Sequence, residues 1–231
     1  NGNPDELKKG IERMCRYARD AVQDGYSILI LSDRNVDSDH AAIPSLLATA
    51  AVHHNLIQHN LRAKADIVVE AADVIETHHF ATLIGYGASA VNPYLAIATL
   101  LEMRNEGVLD THLSDNEVIA KYTKAVGGGL LKVFSKMGIS TLQSYLGAQI
   151  FEALGINSDV IEEYFTGTIS RIEGIGLQEI AIEALARHRQ GFPPEDRIMV
   201  DNQLDSGGEY AWRHDGERHL FNPTTIRLLQ H

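Results

Sequence analysis

Three short apolar runs, each followed by a helical pattern, constrain the fold of this chain more than any other feature. The runs are Tyr26–Leu31, Ala65–Glu70 and Ala88–Asn92. The helical patterns extend from Pro44 to about Gln58, over Glu76–Tyr86, and from Pro93 to about Arg104. Short strands that alternate with helices of this length imply βαβ crossovers and a parallel sheet. The pattern therefore predicts an α/β fold whose first half consists of partial, barrel-like parallel βα units.

The second half of the chain has a different pattern, made mostly of helices and loops. Helices are predicted at Asp115–Ala125, Leu130–Met137, Ser140–Leu154, Ser158–Phe165, Leu177–Arg187 and Thr224–His231, in addition to Glu6–Val22 near the start. We expect Ser140 to cap the third of these helices and Gly155 to end it. The predicted organisation is a βα region over residues 1–105, a helical segment over 106–190 and a loop-rich linker over 191–231. Because the chain starts with Asn1 and stops inside a helical pattern, we expect a segment of a longer protein.

Charge and cysteine content exclude several classes of function. The formal net charge is −11, which argues against nucleic-acid binding because that binding depends on neutralising phosphates. The chain has neither a long unbroken apolar run nor a leader peptide, so no membrane span and no secretion signal are predicted. Cys15 is the only cysteine, which excludes an internal disulfide, a cysteine zinc site and a cysteine-ligated iron–sulfur cluster. A reducing cytoplasmic or plastid-like compartment fits this composition.

Five polar side chains follow the first apolar run, where the first strand is expected to end. They are Asp33, Arg34, Asp37, Asp39 and His40. Ligands of α/β sheets bind at the carboxyl ends of strands, and carboxylates there can hold Mg²⁺ or act as a base. Equally, residues 32–34 can form an Asx turn with a local ion pair at a domain contact. After the second run, Ala71 and Ala72 stand where a phosphate cradle needs glycines, so we expect no anion site there.

Two histidine doublets, His53-His54 and His78-His79, lie inside predicted helices. Neighbouring helical residues point about 100° apart, so one doublet cannot direct both rings at one metal ion. We expect one ring of each doublet to pack and form hydrogen bonds, and the other to meet solvent or a partner domain. The remaining metal alternative takes one ring from each doublet together with Glu76 or His40.

The triplet Gly127-Gly128-Gly129 resembles a phosphate loop only superficially. It lacks the Lys-Ser/Thr ending and follows a helix rather than a strand, so we interpret it as a flexible break between two helices. In the second helix, one face carries the apolar residues Leu130, Val133, Phe134 and Met137 and is predicted to be core. Ser135 and Lys136 fall off that face and are free to meet a partner or a channel.

Six long motifs occur in a fixed order along the chain. They are ILILSDR at Ile28–Arg34, AIPSLLATAAVHH at Ala42–His54, HHFATLIGYGASAVNPYLA at His78–Ala96, SKMGISTLQSYLGAQIFEALG at 135–155, GTISRIEGIGL at Gly167–Leu177 and GGEYAWRHDGERHLFNPTTI at Gly207–Ile226. In this order they resemble one family, glutamate synthase, from its central domain into the segment that leads to its FMN-binding domain. Enzymes of that family hydrolyse glutamine at an N-terminal cysteine and pass the ammonia through an internal tunnel to 2-oxoglutarate. They then reduce the 2-iminoglutarate on FMN that is fed by an iron–sulfur cluster.

The resemblance implies a scaffold between two active sites rather than a catalytic unit. The nucleophilic cysteine and the cluster cysteines are missing, so no catalytic, cofactor-binding or metal-binding residue carries over. FMN and an iron–sulfur cluster are implied only for the full-length enzyme. The implied partners are the N-terminal glutaminase domain and the FMN barrel of the same enzyme. Residues expected to border the tunnel or a domain interface are Ser135, Lys136, Met137, Gln143, His78, His79, Trp212 and Arg213.

Two other interpretations remain open. A stand-alone barrel-like enzyme that binds phosphate or a metal would use Asp33, Asp39, His40, His79 and Lys136. An interaction module would use the stretch Tyr210–Phe221, because aromatic and arginine side chains together are typical of interface anchors.

Overall fold

The computed structural model describes residues 5–193, 207–208 and 211–231, which fall in two compact units, Asn1–Phe192 and Pro193–His231. The first unit contains α1 (Asp5–Gln23), β1 (Ile28–Ser32), α2 (Ser45–Gln58), a 3₁₀ turn (Arg62–Lys64), β2 (Asp66–Glu70), α3 (Thr77–Gly85), β3 (Ala88–Asn92) and α4 (Tyr94–Asn105). It continues with α5 (Asp115–Met137), α6 (Leu142–Tyr145), β4 (Glu152–Ile156), α7 (Ser158–Tyr164), β5 (Ile169–Ile175) and α8 (Leu177–Gly191). The second unit contains α9 (Pro223–Gln230).

The first three strands form a parallel sheet in the order β1-β2-β3. Ile30 of β1 lies opposite Val68 of β2, which lies opposite Ala90 of β3. The strands lie where the apolar runs predicted them, so the predicted α/β class with parallel βα units is confirmed. Within the described residues the three strands form an open sheet and do not close into a barrel.

The hydrophobic core lies on one face of this sheet, between the strands and the helices that pack on them. Leu29, Ile67 and Val69 point from the strands into this core, where Val52 and Leu56 of α2 are completely buried. Helix α1 adds the stripe Ile11, Cys15, Ala18 and Val22. Each large apolar side chain buried in this way contributes about 1.5–3 kcal/mol of transfer free energy, so this face stabilises the unit.

Among the described residues, the opposite face of the sheet is exposed at β1. Ile28 and Ile30 of β1 are 61% and 65% exposed, although both faces of a parallel sheet are usually covered. None of the helices in the described part of the chain combines the length and the apolar character needed to cross a membrane.

The predicted break at Gly127-Gly128-Gly129 is wrong, because α5 is continuous through all three glycines. Its first turn is fixed by a capping box between Ser114 and Glu117, and it ends at Gly138 in the left-handed conformation, φ 70°. A Cβ on Gly129 would lie 2.4 Å from Oγ1 of Thr77 in α3. The glycine at this position therefore permits a close helix–helix approach rather than a hinge.

The predicted helix Ser140–Leu154 is also wrong. The structure has the one-turn helix α6, capped by Thr141 rather than Ser140, followed by the strand β4. Gly147 and Gln149 adopt positive φ angles of 70° and 54°, which interrupt a right-handed helix. Gly155, expected as a helix end, lies inside β4 at φ 74°.

Strands β4 and β5 pair in parallel as a separate two-stranded sheet. Strand β5 was not predicted, because Ile169, Ile172 and Ile175 recur at every third position and match neither the strand period nor the helix period. In the second unit, Asn222 caps α9 by accepting from the backbone N–H groups of Thr224 and Thr225. Its start confirms the helix expected after Asn222-Pro223.

Candidate functional site

Polar side chains meet at the carboxyl ends of the three parallel strands. The Glu70 carboxylate accepts hydrogen bonds from the Ser32 hydroxyl and from Nε of Arg34, each at 2.6 Å. Its Oε1 also accepts from the Asn92 side-chain amide at 3.2 Å. The Arg34 guanidinium lies over the Tyr94 ring, 4.0 Å from the centroid. The hydrogen bond from Arg34 is the main cause that lowers the pKa of Glu70, so this carboxylate links all three strand ends as an anion.

Asp33 follows β1 at the same edge of the sheet. Its Oδ2 accepts from the backbone N–H of Ala72 at 2.8 Å, while its buried Oδ1 has no hydrogen-bond partner among the described residues. Burial, and then the nearby Asp33 carboxylate, raise the pKa of Tyr94 to about 12. A cavity of about 410 Å³ opens beside Asp33 and Glu70. The Tyr94 phenol therefore stays protonated, and Glu70 is held by three hydrogen bonds.

The residues at this edge do not fit a flavin phosphate or an iron–sulfur cluster. Backbone N–H groups that a phosphate would use already donate to carboxylates, Ala72 to Asp33 and Ser45 to Asp73. Those carboxylates would repel a phosphate. Cys15 is a single thiol in the core, and burial raises its pKa to about 11, so it stays protonated. Within residues 5–193, 207–208 and 211–231, no three His, Cys, Asp or Glu side chains converge as a metal site.

The polar loop after β1 is organised by Asp37. Its Oδ1 accepts from the N–H groups of Asp39 (2.9 Å) and His40 (2.8 Å) and from Nδ1 of His40 (2.8 Å). The hydrogen bond from the His40 ring is the main cause that lowers the pKa of Asp37. Residues 32–34 form the serine counterpart of the expected Asx turn, because the Ser32 hydroxyl accepts from the Arg34 N–H at 3.3 Å. An Asx turn forms at Asp37, and Arg34 pairs with Glu70 across the sheet. His79 and Lys136 lie on other elements, α3 and α5, so the residues of the stand-alone enzyme do not form one site.

In the first histidine doublet, His53 packs and forms a hydrogen bond as expected, whereas His54 is half-buried and burial lowers its pKa. His53 is 8% exposed, and its Nδ1 accepts a hydrogen bond from Nε of Arg62 at 2.9 Å. The other guanidinium nitrogens of Arg62 donate to the carbonyls of Ala65 (2.6 Å) and Gly87 (2.9 Å). The His54 ring is half-buried and stands edge-on to His53 at 5.2 Å. This network joins α2 to the start of β2 and to the turn before β3.

The second doublet divides as expected. Nδ1 of His79 accepts from the backbone N–H groups of Ile75 (3.1 Å) and Glu76 (3.4 Å), which stabilises the start of α3. His78 is exposed and meets the edge of the Phe151 ring at 6.0 Å. In the part of the chain that the structure describes, the two doublets do not converge with a third His, Cys, Asp or Glu side chain.

The His53 network predicts a loss of stability in acid. Burial, followed by the Arg62 charge, lowers the pKa of His53 from 6.5 to about 4. Below about pH 6.5 the unfolded chain therefore binds a proton that the folded chain does not bind until about pH 4. We expect this histidine to cost about 3 kcal/mol of unfolding free energy as the pH falls from 6.5 to 4, and nothing above 6.5. Urea unfolding of the wild type and of His53→Gln at several pH values measures it. Parallel pH profiles for the two proteins would contradict the assignment to His53.

An aromatic cluster joins three elements that carry predicted tunnel or interface residues. Tyr145 of α6 has no exposed surface, and its hydroxyl donates to the Ala81 carbonyl of α3 at 3.1 Å. Its ring centroid is 4.3 Å from that of Phe134 in α5 and 6.5 Å from that of Phe151. The ends of α5 and α6 are therefore fixed against α3.

Four predicted tunnel or interface residues of the first unit lie exposed on the elements that carry Phe134 and Tyr145. Met137 and its neighbours Ser135 and Lys136 lie exposed in the last turn of α5, and Gln143 lies exposed in α6. Met137 thus departs from the core stripe predicted for this helix. The role of these residues remains a prediction.

Trp212 and Arg213, predicted as interface residues, belong to the second unit and are exposed. The Trp212 ring stands edge-on to that of His214 at 6.4 Å. Leu220 and Phe221 are also exposed. Tyr210, the first residue of the predicted interaction stretch, lies outside the described residues.

Sequence reasoning missed the partners that organise these sites. The role of Glu70 could have been predicted, because a carboxylate at the carboxyl end of an apolar strand lies beside the carboxyl ends of the neighbouring strands. The sequence does not reveal the roles of Arg62 and Tyr145. The partner of Arg62 is a histidine nine residues away, and the partner of Tyr145 is a carbonyl 64 residues away.

The sequence of this chain is similar to proteins of one family. A family model described as the glutamate synthase central domain matches residues 2–157. The chain is 49% identical to the glutamate synthase (NADPH) large chain of Bacillus subtilis, an alignment that covers 98% of this chain and 14% of that protein. It is 46% identical to the glutamate synthase (NADH) of Schizosaccharomyces pombe, covering 95% and 10%. It is 43% identical to the ferredoxin-dependent glutamate synthase of Pyropia yezoensis, covering 98% and 15%. The chain thus spans between 10% and 15% of the length of these relatives.

Proposed function

This chain belongs to the glutamate synthase family, its residues 2–157 match the central domain, and we propose that it serves there as a scaffold. In this proposal the complete enzyme converts glutamine, 2-oxoglutarate and reductant into two glutamates. The chain links the glutaminase domain to the FMN domain of the same enzyme and is not catalytic alone. The observation that carries the proposal is the match over nearly the whole chain to relatives of that name, 98% of it in the Bacillus subtilis protein.

The chemistry of the described residues supports a scaffold rather than an active site. Glu70 and one oxygen of Asp33 are engaged in structural hydrogen bonds, and Cys15 is buried and protonated. FMN and the iron–sulfur cluster are therefore assigned to the remainder of the enzyme. The relatives include bacterial and yeast proteins and proteins named as chloroplastic, so we place this chain in the cytoplasm or the plastid stroma.

We assign the surface around Tyr145 to the border of an ammonia path. Ser135, Lys136 and Gln143 present polar groups there, and Met137 an apolar one, on elements fixed against α3. His78 and His79 lie on the neighbouring helix α3. In the second unit, Trp212 and Arg213 are assigned to a domain contact, because exposed aromatic and arginine side chains are typical interface anchors.

The proposal is tested by splicing these 231 residues into the Bacillus subtilis large chain in place of its matching segment. We expect glutamate formation from glutamine to be retained. Ser135→Trp should then raise the free ammonia released per glutamate several-fold, while Thr123→Trp, exposed on the same helix away from Tyr145, should not. If the unspliced chain released ammonia from glutamine or bound FMN with a flavin absorption spectrum, the scaffold role would be wrong.

A further inference from the structure

Strand β1 has an unpaired outer edge. Two hydrogen bonds mark the ends of its pairing with β2. The Asp66 N–H donates to the Ser27 carbonyl at one end, and the Asp33 N–H donates to the Glu70 carbonyl at the other. Backbone groups of a strand alternate in direction, so the N–H and C=O groups of residues 28, 30 and 32 point away from β2. Within the described residues these groups have no hydrogen-bond partner.

A groove of about 790 Å³ lies along this strand. Helix α1 lines it with an apolar stripe of Leu7, Met14, Tyr17 and Ala21 beside Gly10. Helix α8 lines it with Ala181, Ala184 and Leu185. The groove therefore offers apolar walls from two helices together with the unsatisfied backbone groups of a strand.

The edge lacks the features that normally prevent strand addition. Proteins protect exposed edges with lysine, proline, a bulge or a covering element, whereas β1 is ILILS and pairs without a bulge. A three-stranded parallel sheet is also small, since sheets average about five to six strands. These observations favour an extended segment, and not a small molecule, as the occupant.

We propose that this groove receives a fourth strand of the sheet, supplied by the polypeptide that full-length glutamate synthases carry outside the part matched by this chain. The inference rests on the proposed function, because the matched part is only 10–15% of those proteins. Five residues opposite β1 span about 17 Å. The strand carries apolar side chains where it meets the groove walls formed by α1 and α8. Polar residues flank it, because Glu6, Arg13, His188 and Arg189 also line the groove.

Hydrogen exchange resolved to single amides tests this strand. The amides of Ile28, Ile30 and Ser32 are compared in the 231-residue chain and in the same residues spliced into the Bacillus subtilis large chain. We expect these three amides to exchange at least about 100-fold more slowly in the spliced protein. The amides of Leu29 and Leu31, which face β2, should be protected in both and report that the sheet is folded. Fast exchange of the outer amides in both proteins would overturn the proposal, as would their protection in a dimer of the 231-residue chain.

Two variants of one residue isolate the backbone hydrogen bond. Ile28→Pro removes an N–H that bonds nothing in the chain by itself, at the first position of an edge strand, where proline is tolerated. Ile28→Ala removes the same side chain and keeps the N–H. In the spliced protein we expect exchange at Ile30 and Ser32 to accelerate at least about tenfold with proline and to stay slow with alanine. Equal behaviour of the two variants would contradict a strand at this edge.

Glutamate formation from glutamine, measured on the same preparation, separates the two proposals. An active spliced protein with fast outer amides overturns the fourth strand and leaves the scaffold role standing. An inactive one with slow outer amides supports the strand and overturns the scaffold role.

Discussion

Gly87→Ala is expected to lower the free energy of unfolding by about 4 kcal/mol, from backbone strain and from a lost buried hydrogen bond. Gly87 has φ +111°, a conformation that residues with a Cβ rarely adopt. A Cβ there would lie 2.2 Å from Nδ1 of His53. His53 must then move away from Arg62, which leaves a partly buried guanidinium without one of its acceptors. Urea unfolding near neutral pH measures the loss.

Gly25→Ala is the matched control for Gly87→Ala. Gly25 has a similar φ of +96°, but an added Cβ there meets nothing within 4 Å. We expect only the strain of the positive φ, about 1–2 kcal/mol. Equal losses at the two positions would show that the contact with His53 contributes nothing.

Tyr145→Ala is expected to destabilise the first unit by about 4 kcal/mol, as for other large aromatic side chains removed from a core. The ring is completely buried and joins Phe134 of α5 to Phe151. Its loss leaves a cavity between α5, α6 and α3, which the surrounding backbone can fill only in part. Thermal and urea unfolding, followed by circular dichroism, measure the change.

Tyr145→Phe separates the ring from the hydroxyl. It keeps the packing and removes the hydrogen bond to the Ala81 carbonyl, so we expect a loss of about 1 kcal/mol. A phenylalanine variant as unstable as the alanine variant would place the stabilisation in the hydrogen bond rather than in packing.

The first half of the fold was predictable because the strand patterns and the helices that connect them indicate the same parallel sheet. The runs at Tyr26–Leu31, Ala65–Glu70 and Ala88–Asn92 are too short for helices, and each is followed by a helix of ordinary length. The observed strands Ile28–Ser32, Asp66–Glu70 and Ala88–Asn92 differ from them by two residues at most. The parallel order then follows from the crossovers.

The second half was harder to predict because single backbone positions decide it. The apolar spacing of Ser140–Leu154 fits a helix, yet Gly147 and Gln149 take left-handed conformations that the spacing does not reveal. At Gly127-Gly128-Gly129 the reverse holds, since low helix propensity predicted a break and the packing of Thr77 against Gly129 overrides it. Tertiary contacts decide both cases.

The candidate site was predictable in location but not in pairing. The sheet edge follows from strand order, so Asp33 and Arg34 were expected there. That Arg34 would pair with Glu70, 36 residues away, depends on the register of β1 against β2. A one-residue shift in register would have turned Glu70 to the other face of the sheet.

The glycines of α5 also bear on how this segment can diverge in sequence. A helix of 23 residues is about 34 Å long, and this one carries the Arg104–Asp115 ion pair near its start and the Phe134–Tyr145 contact near its end. Because the Thr77 side chain lies directly against Gly129, α3 and α5 approach closely at this position with no side chain of α5 between them. Exposed side chains along α5 are therefore free to change during evolution without altering the distance between its two ends and α3, whereas Gly129 is not.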